Sequence, residues 1–199
     1  MQEEREKTKN EGVEAVMSLA RGRVWVTQGL GLAVSCWAVS FLVPFFIGGP
    51  QLLVGSMVNA LLVVAALKLP TRALWPVIIF PSLAVFLRGV IFGPLTIFLA
   101  YLIPFIWISN ALLVLVTRNL YKRAKWNVWP AAAAGIILKV GWLWAGAWLL
   151  IGWGIIPKVM GAAMGWGQVT TAAMGAVVVL GVAGMWRGGW RRALNFLRR

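Results

Sequence analysis

The side chains that could hold a ligand inside a membrane are Asn59, Arg88, Lys139, Gln168, Thr170 and Thr171, each set in an otherwise apolar run, with Asn110 of the same kind. Hydrocarbon offers no water to bond, so a polar group there needs a partner and marks a functional site by default. Arg88 and Lys139 carry the most information. All five acids, Glu3, Glu4, Glu6, Glu11 and Glu14, lie at or before Glu14, so no carboxylate in the apolar runs can neutralise either cation. A buried, unpaired charge costs several kcal/mol even after relaxation. A small anionic ligand would satisfy both cations. Two blander outlets stay open: Arg88 lies close enough to Gly93 to reach outward to the interface, and Lys139 could bond freed carbonyls or give up its charge. Asn59 and Asn110 also suit a role as interhelical amide glue. The stretch Gly165-Trp166-Gly167-Gln168-Val169-Thr170-Thr171 is the strongest single binding candidate, because its glycines let another group approach and polar side chains follow at once. Trp142 or Trp166 would supply aromatic walls.

Much chemistry is excluded. The chain has no histidine and one cysteine, Cys36, inside an apolar run. Neither a disulfide nor an imidazole or thiolate metal cluster can be built from such a set. Without histidine or a late acid there is also no Ser-His-Asp triad, no carboxylate pair and no acidic ligand set for catalytic Mg²⁺ or Zn²⁺. The expectation is a protein with no reaction and no cofactor of its own.

The elements that must position these residues are membrane helices. Of the 199 residues 61% are hydrophobic, mean hydropathy is +0.84, and a soluble domain is only about half apolar. A hydrocarbon layer about 30 Å thick needs about 20 apolar residues. Six segments meet that length: Val24 to Ile47, Gln51 to Leu67, Ala73 to Phe92, Leu95 to Val116, Val128 to Trp153 and Gly161 to Met185. Between them lie Gly48-Gly49-Pro50, Leu69-Pro70-Thr71, Gly93-Pro94, the charged run Arg118 to Asn127, and Ile156-Pro157-Lys158, all turn or charge signals. The fold class expected is all-α, a six-helix transmembrane domain over 23–186, with Pro76, Pro81 and Pro104 inside spans three and four and kinking them, and the short second helix tilted or partly buried. A polar segment, 1–22, precedes it; Val13, Val16, Met17 and Ala20 fit a short amphipathic surface helix or a solvated tail. A basic tail, 187–199, follows.

Sixteen of the nineteen cations flank the segments on one side: before the first, around the second connection, in Arg118 to Lys125, and after the sixth. The opposite connections carry only Lys158. The positive-inside rule then places both termini in the cytoplasm and the chain in the cell membrane. The net charge of +14 and the interleaving of arginine with tryptophan in the tail suit anionic headgroups better than nucleic acid, and no nucleic-acid partner is expected. Several of the 13 tryptophans, including Trp25, Trp75, Trp126, Trp129, Trp153 and Trp186, fall near segment ends as interfacial anchors. Trp142, Trp144 and Trp148 crowd one helix, to line a cavity or to pack against lipid. Small residues four apart, Gly29 with Ala33 and Gly31 with Ser35, permit close helix packing within the bundle or against a partner.

Six short-looped spans with both ends inside, Gln51-Leu52-Leu53-Val54-Gly55-Ser56-Met57-Val58-Asn59-Ala60-Leu61, Pro81-Ser82-Leu83 leading to Phe92-Gly93-Pro94, and Gly165 to Ala172 together resemble the substrate-binding S components of energy-coupling factor vitamin transporters. The resemblance implies capture of a small nutrient from outside and its delivery through a transmembrane T subunit driven by two cytoplasmic ATPases. The absence of a Walker motif agrees with borrowed ATP hydrolysis. Two features depart from that pattern. The family docks its T subunit through alanines four apart on the first helix, whereas Gly29 and Ala33 are followed here by Trp37; and its nickel and cobalt branch uses an amino-terminal histidine, so a metal substrate is not expected. The alternative from the residues alone is a structural or anchoring subunit of a larger membrane complex, in which the small-residue faces and basic tail serve assembly.

Overall fold

The computed structural model describes residues 29–47, 49–92 and 96–197. Among them the chain is helical, with no strand. Six helical stretches are long and apolar enough to cross a membrane, which makes this a multi-pass membrane protein. The amphipathic helix expected before residue 23, the acids, and Trp25 lie outside the described residues.

The helices are α1 (Gly29–Ile47, its last turn Val43–Ile47 in π form), α2 (Gln51–Lys68), α3 (Leu74–Phe92), α4 (Thr96–Lys122), α5 (Val128–Gly152), α6 (Val159–Met164) and α7 (Trp166–Leu197). Most boundaries match the hydropathy pattern within a residue or two. Three differences have physical causes. Helix α4 runs to Lys122 because Arg118 stays helical and reaches sideways, donating to the Leu69 carbonyl at 2.6 Å and to Thr71 Oγ1 at 3.2 Å, so its charge is spent on the α2–α3 connection. The sixth span, expected as one helix, is two, broken at Gly165 with φ −98° and ψ −97°. Helix α7 carries on through the basic tail to Leu197. Pro81 and Pro104 sit inside α3 and α4 as expected, while Pro76 falls in the first turn of α3, where no intrahelical N–H is required.

Contacts fix how neighbours run. Trp37 Nε1 donates to the Ala73 carbonyl at 2.9 Å and Phe41 meets Phe80 edge-on, so α1 and α3 are parallel. Asn110 bonds the Ile78 carbonyl and Trp107 bonds Ser82, so α3 and α4 are antiparallel. Gly55 faces Thr171 while Gly175 faces Ser56, Asn59 and Ala60, so α2 and α7 are parallel. Between lipid-soluble helices there is no hydrophobic drive, and close packing of small residues replaces it. A Cβ built on Gly175 would lie 2.6 Å from the Ser56 carbonyl oxygen and 2.7 Å from the Ala60 amide nitrogen, so these backbones touch only because the residue is glycine. The short α2 is the central helix: Leu62, Val63, Ala65 and Ala66 are at most 1% exposed.

The outer surface is apolar, as lipid requires. Trp75, Trp126, Trp129 and Trp153, near helix ends, are all exposed, the placement expected of interfacial anchors. The two small-residue pairs of α1 divide: Ala33 packs into the core, whereas Gly29, Gly31 and Ser35 face outward, and a Cβ on Gly29 or Gly31 would meet nothing within 4 Å.

Candidate functional site

Lys139, in the middle of α5, is 3% exposed. Its Nζ donates to Asn59 Oδ1 of α2 at 2.6 Å and to Asn110 Oδ1 of α4 at 2.8 Å. Both amides are themselves held. Asn59 Nδ2 donates to the Gly55 carbonyl at 2.9 Å and to Thr171 Oγ1 at 3.3 Å, and the Thr171 hydroxyl donates on to the Gly167 carbonyl at 2.9 Å. Asn110 Nδ2 donates to the Ile78 carbonyl at 3.0 Å, in the turn just before Pro81. Four helices, α2, α4, α5 and α7, thus contribute side chains to one buried network, with an α3 carbonyl at its edge.

Local sequence explains why the network assembles there. Proline at 81 lacks the N–H that would bond the Val77 carbonyl and distorts that turn. The neighbouring Ile78 and Ile79 carbonyls accept from Asn110 and from Ser82 Oγ, the latter at 2.9 Å. Glycines at 55, 167 and 175 bring α2 and α7 close enough for Asn59 to reach Thr171. Sequence reasoning gave Lys139 three outlets, namely a ligand, freed carbonyls, or loss of charge. The structure adds a fourth, two side-chain carbonyls, and joins the glue role of Asn59 and Asn110 to the site itself.

Lys139, Asn59 and Asn110 form the inner end of a cavity of about 660 Å³, within the range of roughly 300–1,000 Å³ common for small-molecule sites. Its walls are apolar, with Val54, Val58, Val85, Ile106, Met160 and Met164 prominent. Gly49, Gln51, Arg88 and Gly89, all at helix ends, surround its mouth, and that mouth opens at the end of the bundle opposite Lys68, Arg72 and Arg118. The eight residues from Gln51 to Asn59 set its depth at about 12 Å, using 1.5 Å per residue. Beyond the network, toward the basic end, Leu62, Val63, Leu113, Val114 and Ala132 are all at most 1% exposed, so the cavity is blind.

At the mouth, Arg88 Nη1 donates to the Phe45 carbonyl at 3.0 Å, within the π turn Val43–Ile47 that contains Pro44. Gln51 Nε2 donates to the Ala163 carbonyl at 3.1 Å and clips the start of α2 to the end of α6. The break at Gly165 is what lets α6 turn Met160 and Met164 onto the cavity while α7 stays against α2.

Of the sequence candidates, Asn59, Arg88, Lys139 and Gln168 line the cavity. Thr171 stands one bond behind, on Asn59. Thr170 is exposed and bonds the Trp166 and Gly167 carbonyls of its own helix. The aromatic walls expected from Trp142 and Trp166 are not among the described lining: Trp166 is 79% exposed, and Trp142 sits on the outer face against Phe105, with ring centres 6.2 Å apart. Trp144 and Trp148 likewise pair on the outside. Asn110, named from the sequence as of the same kind and also as amide glue, is on the lining, and so are Gln51 and Ser82, which were not among the candidates. Gln51 starts a helix and Ser82 follows a proline, positions whose polarity gave no sign that they face the cavity.

No group of histidine, cysteine and acidic residues that could hold a metal ion occurs among the described residues. Compared with known proteins, the chain matches no family model, no curated protein and no solved structure.

Proposed function

We propose that this chain is a non-enzymatic substrate-capture subunit of the cell membrane, taking a small anionic nutrient from outside for uptake driven by partner subunits. The observation that carries this reading is a blind, ligand-sized cavity ending on a buried lysine that, among the described residues, has amide oxygens but no carboxylate against it. A channel needs two mouths, whereas a capture subunit needs one. The mouth lies at the cation-poor end, which the positive-inside rule assigns to the exterior. The order of spans and motifs resembling energy-coupling factor S components supports the same role, with a transmembrane T subunit and cytoplasmic ATPases as partners. Binding of pooled carboxylated and phosphorylated vitamins to purified protein tests it. Affinity should fall sharply in the Lys139→Ala, Arg88→Ala double variant, and unchanged affinity sinks the electrostatic basis.

A second reading, as an anchoring subunit of a larger complex, is favoured by the open face of α1 at Gly29, Gly31 and Ser35. Native mass spectrometry of gently extracted protein separates the two. A retained small molecule supports capture; a stable protein partner without one supports anchoring.

A further inference from the structure

We infer that the ligand is an aliphatic monocarboxylate bound with its carboxylate inward, against Lys139 and Asn110. This rests on the capture reading above and adds the chemical class and the orientation.

The donor inventory at the inner end decides the head group. An ammonium has three N–H donors and a primary amide two. Lys139 spends two, on Asn59 Oδ1 and Asn110 Oδ1. Asn59 spends both of its amide hydrogens, on the Gly55 carbonyl and Thr171 Oγ1. Asn110 spends one, on the Ile78 carbonyl. With Lys139 protonated, what remains is one ammonium N–H on Nζ and one N–H on the Nδ2 of Asn110, the residue whose Oδ1 that ammonium holds at 2.8 Å, with a single positive charge. Two neighbouring donors and one charge match the two oxygens and single charge of a carboxylate. A phosphate monoester, with three terminal oxygens and a charge near −2, would bury acceptors and charge that this pole cannot answer.

The walls decide the body. No aromatic ring occurs among the described lining residues, so a flat heterocycle finds no surface to stack on. Valines, Ile106 and the flexible thioethers of Met160 and Met164 instead suit a saturated chain or ring of adaptable shape. Polar groups return only at the mouth, at Gln51, Arg88 and Gln168, where the far end of the ligand can be polar or hydrated.

The test is equilibrium binding of radiolabelled octanoate, octanamide and octyl phosphate to the full chain in nanodiscs, with empty nanodiscs subtracted. The wild type should bind octanoate at least about tenfold more tightly than either of the others, the worth of one charged hydrogen bond. Lys139→Met should abolish that preference and leave octanamide unchanged. Ile106→Trp, which fills the wall without touching the polar pole, should weaken octanoate by a similar factor and keeps the test meaningful if the lysine variant folds poorly. Octyl phosphate binding as tightly as octanoate, with the same dependence on Lys139, overturns the carboxylate assignment and leaves anion capture standing. Failure of all three probes and of the vitamin pool to bind the wild type overturns both.

Discussion

Lys139 keeps its amine within 2.6 Å and 2.8 Å of two amide oxygens, in surroundings where a charge stripped of partners costs far more than a neutral group does. That asymmetry makes the acceptors more critical than the cation. Asn110→Ala removes one acceptor from the amine and leaves the Ile78 carbonyl without its side-chain donor, and it should lower stability by about 1–3 kcal/mol. Lys139→Met removes the charge together with its need for acceptors and should cost less. Thermal unfolding of both variants in one detergent checks the order, and a larger loss for Lys139→Met contradicts it. Composition already singled out this lysine, since no acid follows Glu14. Its partners could not be read the same way, because Asn59 and Asn110 lie 80 and 29 positions away and reach it only through helix packing.

At the scale of elements, the α2–α7 contact ties the site to the fold. Glycines 55 and 175 let two parallel helices approach until side-chain atoms of one meet the backbone of the other. Gly175→Ala forces a Cβ into the Ser56 carbonyl and the Ala60 amide and should cost about 1–3 kcal/mol as overpacking. Because Asn59 is also 2.9 Å from that Cβ, ligand binding should weaken along with stability. Gly181→Ala, six residues further on where a Cβ meets nothing within 4 Å, should change stability by no more than about 0.5 kcal/mol. Equal effects of the two substitutions in thermal unfolding would show that this interface does not hold the bundle. The hydropathy pattern gave the six spans closely, since length and apolarity are local properties. It missed the break at Gly165, because neither proline nor charge interrupts Val159 to Met185, and the close approach of Gly165 to Trp144 is a contact between helices that the local pattern does not carry.

For the whole molecule, a blind cavity acquires meaning only once its mouth is assigned to one side of the membrane. The proposed uptake role requires Lys68, Arg72 and Arg118 to Lys125 to lie inside, as the positive-inside rule predicts. The single cysteine, Cys36, is buried, so an impermeant thiol reagent gives little background. Lys158→Cys should label in intact cells and Lys125→Cys only after the membrane is opened; the reverse pattern would put the cavity mouth on the cytoplasmic side and remove the uptake role.

The amino-acid sequence by itself determined the helical class, the six apolar spans, and the lack of any acidic side chain after Glu14 to pair with Arg88 or Lys139. These follow from composition and from runs of neighbouring residues, and they need no knowledge of which helices meet. Tertiary structure alone decided that Lys139 lies between Asn59 and Asn110, that Trp142 and Trp166 face outward, and that the cavity is walled by aliphatic side chains. The physical reason is rotational. A helix that is apolar on every side gives no period from which to tell its lipid face from its inner face, so which residue points inward is set by the neighbour it packs against.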